Sequence, residues 1–158
     1  MSAELMSEAW AGEIYALLRD WPDATEQADE RKSEAYWRYF HRHRESFDGT
    51  FALGIRDIPG RDDTPYVCIT WGPDGTCTSV TVQPAGQAQA AAKVAMECTY
   101  ENWLAMVNGY DISKAMTYHQ LPLTKGGSMD LLRCVYFVHE LIVVALRVPT
   151  ATLAAAPA

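Results

Sequence analysis

Cationic residues are scarce in this sequence: 13 Lys and Arg stand against 20 Asp and Glu, for a formal charge of −7. Phosphate binding needs a concentration of Lys and Arg that this balance does not supply, which excludes nucleic acid as a partner. Tight adsorption to anionic lipid is disfavoured for the same reason. The local exception is RYFHRHR, Arg38 to Arg44. It reads as a solvated helix face, with docking of an acidic partner as the alternative; His41 and His43 are expected to be exposed. Cysteine is also sparse, and Cys68, Cys77, Cys98 and Cys134 share none of the short metal-ligand spacings. They are expected as free thiols that pack as small residues, with no metal bound. The start, MSAE, lacks the positive charge and apolar core of a secretory signal, so a cytoplasmic location is expected. No long uninterrupted apolar run occurs. Cys134 to Val148 is too short, and too interrupted by His139 and Glu140, to cross a bilayer, so stable membrane insertion is not expected. A Walker loop, a dinucleotide fingerprint, a Gly-x-Ser-x-Gly elbow and a His-Glu-x-x-His pair are all missing, and no cofactor is expected.

What is present suits one globular domain with a substantial core: 158 residues, 49% hydrophobic and 11% aromatic. Glu4 to Asp20 reads as a helix with Trp10, Ile14, Leu17, Leu18 and Trp21 on one face, ended by Pro22. A second helix, from about Thr25 to Glu45, begins charged and turns aromatic at Tyr36, Trp37, Tyr39 and Phe40. Phe51, Leu53 and Ile55 alternate with Ala52, Gly54 and Arg56, a strand with one buried face. Ile58 to Pro65 is loop. Val67, Ile69 and Trp71 alternate, turn at Gly72-Pro73-Asp74-Gly75, and return through Thr78, Val80 and Val82 as a hairpin. Between Gln87 and Cys98 alanine content favours helix while Ala92, Val94, Met96 and Cys98 alternate; strand is expected from about Ala90.

The segment Thr99 to Thr124 organises the rest. Thr99 caps a helix with Tyr100, Trp103, Leu104 and Val107 on one face, and Gly109 closes it. Asp111 caps a shorter helix carrying Ile112, Ala115 and Met116. Gln120 to Thr124 then alternates through Leu121 and Leu123 as a half-buried strand, and Lys125-Gly126-Gly127 breaks the chain. After a cap at Ser128, Met129 to Val148 reads as one helix, apolar almost all round, that must be covered on every side. Its cover is the sheet with the N-terminal helices, a second subunit, or a bound apolar ligand. Ala151 to Ala158 is expected to be a frayed tail.

This order resembles the sterol carrier protein family: Tyr100/Trp103, then Asn-Gly, an Asp-capped short helix with Ala115-Met116, and a strand ending in Lys-Gly. The resemblance extends upstream to Phe47-Asp48-Gly49-Thr50-Phe51 and Ile69-Thr70-Trp71, from Phe47 to Leu146 in all. It implies an α/β (α+β) fold, with about five strands in a mixed or mostly antiparallel sheet covered by helices. Residues 1–46 would form an added N-terminal helical extension, 47–150 the lipid-binding domain and 151–158 the tail. It also implies an internal tunnel that holds a lipid, acyl chain or other apolar small molecule. The implied lining is Trp71, Trp103, Met106, Val107, Met116, Leu121, Leu123, Val135, Tyr136, Val138, His139 and Ile142. For Trp71, Trp103, Met106 and Met116 the plain alternative is core packing.

His139 and Glu140 are neighbours, about 100° apart on a helix, and cannot converge on one atom as metal ligands. They read as a core histidine with a glutamate at its edge, or as a polar anchor in an apolar pocket. His119 lies at a helix-to-strand junction. Two further readings remain. One is a biosynthetic enzyme acting on a hydrophobic metabolite, with His139 or His119 as acid or base and Glu101 or Glu140 assisting. The other is a structural homodimer formed through the last helix. The inner face, through Leu53, Ile55, Ile69, Trp71, Val80 and Val94, is expected to pack on Trp103 and the last helix.

Overall fold

The computed structural model describes residues 2–22, 27–28 and 30–151. Helix α1, Glu8–Leu18, starts where Ser7 accepts the Trp10 N–H at 3.1 Å. The expected start at Glu4 is therefore four residues early: Leu5 and Met6 precede the cap and are buried. Leu17 is also exposed rather than on the buried face, which is Trp10, Ala11, Ile14 and Leu18. Helix α2, Glu34–Phe47, is capped by Ser33 and buries Trp37, Phe40 and Phe47. The charged start expected for it from Thr25 falls partly outside the described residues. His41 and His43 are half-buried rather than exposed, because α2 lies against its neighbours on that side too.

Among the described residues five strands form one mixed sheet in the order β3-β2-β1-β4-β5. They are β1, Gly49–Arg56; β2, Pro65–Trp71; β3, Cys77–Pro84; β4, Val94–Thr99; and β5, Leu123–Lys125. β1 pairs in parallel with β4, and the other pairings are antiparallel. The expected hairpin is the β2/β3 pair, with Ile69 opposite Val80. The alanine-rich stretch contains both of the competing elements in succession: helix α3, Ala85–Ala91, then β4. Ala92, at φ −73 and ψ 141, is where helix gives way to extended chain.

Because β1 is central and α3 lies behind it, both faces of β1 are buried, not one. On the outer face Ala52, Tyr66, Cys68 and Ala95 meet Ala88 and Ala92. Gly54 is required there: a Cβ would stand 2.5 Å from the Tyr66 ring, which lies across it. Tyr66 thereby reaches from β2 over β1 and donates to Glu97 on β4 at 2.6 Å. On the inner face Phe51, Leu53, Ile55, Ile69, Trp71, Val80, Val94 and Met96 join one core with Trp10, Phe40, Trp103 and Phe137, as expected. Trp10 and Trp103 meet edge to face at 6.1 Å, and Trp71 meets Phe137 at 4.9 Å. Helix α1 packs over β3 within this core, and Ala3 pairs with Thr150, so the two ends of the described chain meet.

Helix α4, Tyr100–Val107, and helix α5, Ile112–Thr117, have the expected caps: Thr99 accepts from Asn102 at 3.1 Å and Asp111 from Lys114 at 2.9 Å. The buried face of α4 is Trp103 and Met106, while Leu104 and Val107 face outward, against expectation. β5 is three residues long and excludes Leu121, which is buried in the turn before it.

The single C-terminal helix expected from Met129 to Val148 is two: α6, Ser128–Leu132, and α7, Val135–Arg147. No Gly or Pro marks the break. Cys134 turns to φ −134, its N–H goes to the Leu131 carbonyl, and its thiol donates to the Asp130 carbonyl that a continuous helix would have paired with that N–H. Ser128 is the first helical residue rather than the cap; the Gly127 N–H donates to Asp130 at 2.8 Å. Residues 152–158 of the expected tail lie outside the described residues.

Candidate functional site

Among the described residues, clefts open at the surface around α5, α6 and α7. One, about 420 Å³, has Met96 and Leu123 as its floor, a cross-strand pair of β4 and β5. One wall is Met116, His119, Leu121 and Pro122; the other is Ser128, Leu131 and Leu132 of α6. Local chemistry builds both walls. After α5 the Ala115 carbonyl accepts both the Gln120 and Leu121 N–H groups, and His119 takes a left-handed φ of 60, which turns the chain back into the sheet. Gly126, at φ 87, then passes close to the Lys93 carbonyl, where a Cβ would stand 3.2 Å away, and launches α6.

The second cleft, about 280 Å³, lies between α2, α5 and α7 and is lined by Tyr36, Ser113, Val135, Tyr136 and His139. Beside it is Glu140, the one buried charged side chain among the described residues, 2% exposed. This reverses the expected arrangement: the glutamate is the core group and the histidine is at the edge. Burial opposes ionisation of Glu140. His139 Nδ1 at 3.7 Å, Lys32 Nζ donating at 2.6 Å and the Tyr36 hydroxyl outweigh it, holding the carboxyl at about 2. Burial and Glu140 together push Tyr36 well above the usual phenol range. Glu140 is thus a satisfied anion through Lys32 and Tyr36, and the buried His139 Nδ1 stands beside it at 3.7 Å, beyond hydrogen-bond length.

A third cleft, about 220 Å³, lies across α6 from the first and is lined by Ser46, Phe47, Lys93, Val94, Asp130, Arg133 and Cys134. Lys93 is held there by donating to the Phe47 carbonyl at 2.6 Å.

The residues proposed from sequence as one tunnel lining are divided by the structure. Met116, Leu121 and Leu123 line the first cleft; Val135, Tyr136 and His139 line the second. Trp71, Trp103, Met106, Val138 and Ile142 are enclosed in the core, and Val107 is on the surface. Of the residues named for acid or base work, His119 and His139 line different clefts, Glu101 is exposed on α4, and Glu140 is paired with Lys32. Sequence reasoning missed Met96, Pro122, Leu131 and Leu132; the Gly126-Gly127 break ahead of a Leu pair was the available signal. It also missed Lys32 and Tyr36, for which no local signal exists.

Burial pushes the Cys68, Cys77 and Cys134 thiols up to about 11 and Cys98 to about 12, so these free cysteines are poor nucleophiles. Among the described residues no three His, Cys, Asp or Glu side chains are grouped to hold a metal ion. No described helix is long and apolar enough to cross a membrane.

No family model matches the sequence, and no curated protein does. Solved structures do. A crystal structure of sterol carrier protein 2 superposes with a TM-score of 0.67 at 24% identity, over 92% of this chain and 100% of its own. A conserved hypothetical protein from Thermus thermophilus, described as possibly a sterol carrier protein, superposes at 0.65 with 23% identity, over 98% of this chain and 100% of its own. The chain is a sterol-carrier-protein-2-like domain in its fold.

Proposed function

We propose that this protein is a carrier that holds a lipid, acyl chain or other apolar small molecule in the cleft between β5, α5 and α6. One observation carries the reading: of the nine side chains lining the 420 Å³ cleft, seven are apolar and the polar ones are His119 and Ser128, so the cleft offers apolar surface without a carboxylate to pair with the imidazole. Its volume falls within the range of small-molecule sites, roughly 300–1,000 Å³. Methionines at 96 and 116 give a wall that adapts to irregular chains. The driving force is desolvation, about 0.8 kcal/mol for each methylene moved out of water. The likeness in fold to sterol carrier protein 2 supports this reading.

The enzyme reading is weaker. Glu140, the carboxylate nearest His139, is committed to Lys32 and Tyr36. The dimer reading also loses its premise, because Phe137, Val138, Leu141, Ile142 and Val144 of α7 are covered from within the chain. The test is native mass spectrometry of the purified protein followed by organic extraction. A co-purifying apolar molecule released by solvent is the expected result; a ligand-free protein that also takes up no apolar probe would count against the carrier.

A further inference from the structure

The aromatic walls of the 280 Å³ cleft between α2, α5 and α7 are held from behind. Tyr36 donates its hydroxyl to Glu140, and Lys32 Nζ, 2.6 Å from the same carboxylate, lies 5.3 Å from the Tyr36 ring centroid. Tyr136 meets Tyr36 edge to face at 5.2 Å, stacks on Tyr39 at 6.0 Å and lies 5.5 Å from His43. The two rings stand at 89° to each other, a right-angled corner that lines the cleft. A flat ring seated in it meets one wall face to face and the other edge to face, the arrangements that aromatic pairs prefer. The volume, just below the roughly 300–1,000 Å³ of most small-molecule sites, suits one ring rather than a long chain.

His139 says what that ring must carry. Its Nδ1 is buried, 3.7 Å from the Glu140 carboxylate, while the side chain as a whole is 30% exposed. The exposed part is therefore the opposite edge, which carries Nε2. A proton on Nδ1 faces the carboxylate favourably and a lone pair there would face it unfavourably, so Glu140 selects the Nδ1–H tautomer of the neutral ring. Nε2 is then a bare acceptor at the cleft wall, and it calls for a ligand with a proton to give. A hydroxyl on the seated ring supplies one. A carboxylate has none and would turn its charge toward that lone pair.

We propose that this cleft is a second binding site, for a small phenol, with the aromatic ring in the Tyr36/Tyr136 corner and its hydroxyl donating to His139 Nε2. Val135, beside Tyr136 on α7, adds apolar contact, and Ser113 of α5 adds a hydroxyl to the same lining. The buried Lys32–Glu140–Tyr36 cluster is then the support of the site: it fixes one wall and sets the tautomer of the acceptor. The site shares no lining residue with the 420 Å³ cleft, so it stands or falls independently of the carrier reading.

The experiment is a titration followed by fluorine NMR, with para-fluorophenol as the probe and para-fluoroanisole, whose oxygen carries no proton, as its comparison. In wild type the phenol should bind saturably and roughly tenfold more tightly than the anisole, the ratio for one hydrogen bond lost with its acceptor left unpaired. This comparison needs no variant. His139→Phe keeps a ring but no acceptor and should bring the phenol down to the level of the anisole. Tyr136→Ala should weaken both probes alike, by roughly fivefold. Met116→Trp, which fills the other cleft, should leave both unchanged. The site is overturned if the phenol shows no saturation up to about 10 mM. It is equally overturned if phenol and anisole bind alike in wild type, if para-fluorobenzoate binds more tightly than either, or if Met116→Trp abolishes binding that His139→Phe leaves intact. None of these results touches fatty-acid uptake, which reads the carrier function separately.

Discussion

Lys32, just ahead of α2, and Glu140, in the middle of α7, meet across 108 residues of chain with Nζ 2.6 Å from Oε1. The pair ties the second helix to the last one. It also explains how a helix as apolar as α7 tolerates a carboxylate in its interior: Tyr36 and Lys32 satisfy the oxygen, and Lys32 Nζ lies 5.2 Å from the Trp37 ring centroid.

Lys32→Met should therefore be among the most damaging substitutions near the surface, lowering unfolding free energy by about 3–5 kcal/mol because it strands a buried charge. Adding Glu140→Leu to it should recover much of that loss. Urea denaturation of the single and double variants reads both effects. A double variant as unstable as Lys32→Met alone would show that lost packing, not the stranded charge, is the cause.

The same carboxylate sets a pH dependence. Its folded value of about 2 lies below its ordinary 4.5, so the stabilisation is fully present above that ordinary value and is lost as pH falls from about 4.5 toward 2. Melting temperatures across that range should fall steeply in wild type and less so in Glu140→Gln. Parallel curves would remove Glu140 as the acid-sensitive group.

Gly54→Ala should destabilise by about 1–3 kcal/mol, since the new methyl displaces the Tyr66 ring from its position across β1 and with it the Tyr66–Glu97 hydrogen bond. Gly12→Ala is the contrast. Nothing stands within 4 Å of a Cβ there, and the helix interior should gain about 0.5–1 kcal/mol. Thermal melts that rank the two variants the other way would contradict the packing described for the outer sheet face.

Much of this fold was legible because its signals are local. Thr99 and Asp111 cap their helices through side chains that reach only three residues ahead, so the caps survive any tertiary arrangement. The β2/β3 hairpin is similarly written in alternation and a Gly-rich turn. What was not legible depends on long-range geometry. In the short helix α4 the apolar pattern offers more than one face, and packing within the chain buries Trp103 and Met106 while Leu104 stays out. Glu140 looked like an edge residue because its partners lie 108 and 104 positions upstream. The break at Cys134 carries no Gly or Pro, and without it Leu131 and Leu132 could not be assigned to a cleft wall. The candidate lining was half recognised for the same reason: Met116, Leu121 and Leu123 fall in one recognisable segment, while Met96 and α6 join them only in three dimensions.

The most direct test of the carrier reading is titration of a fluorescent fatty acid into wild type, Met116→Trp and His139→Trp. Met116 and His139 line different clefts, and each indole would fill its own. Saturable binding at one site is expected in wild type and in His139→Trp, with loss of binding in Met116→Trp and its melting temperature preserved. Binding that survives Met116→Trp but is lost in His139→Trp would contradict it and place the ligand beside Glu140 instead.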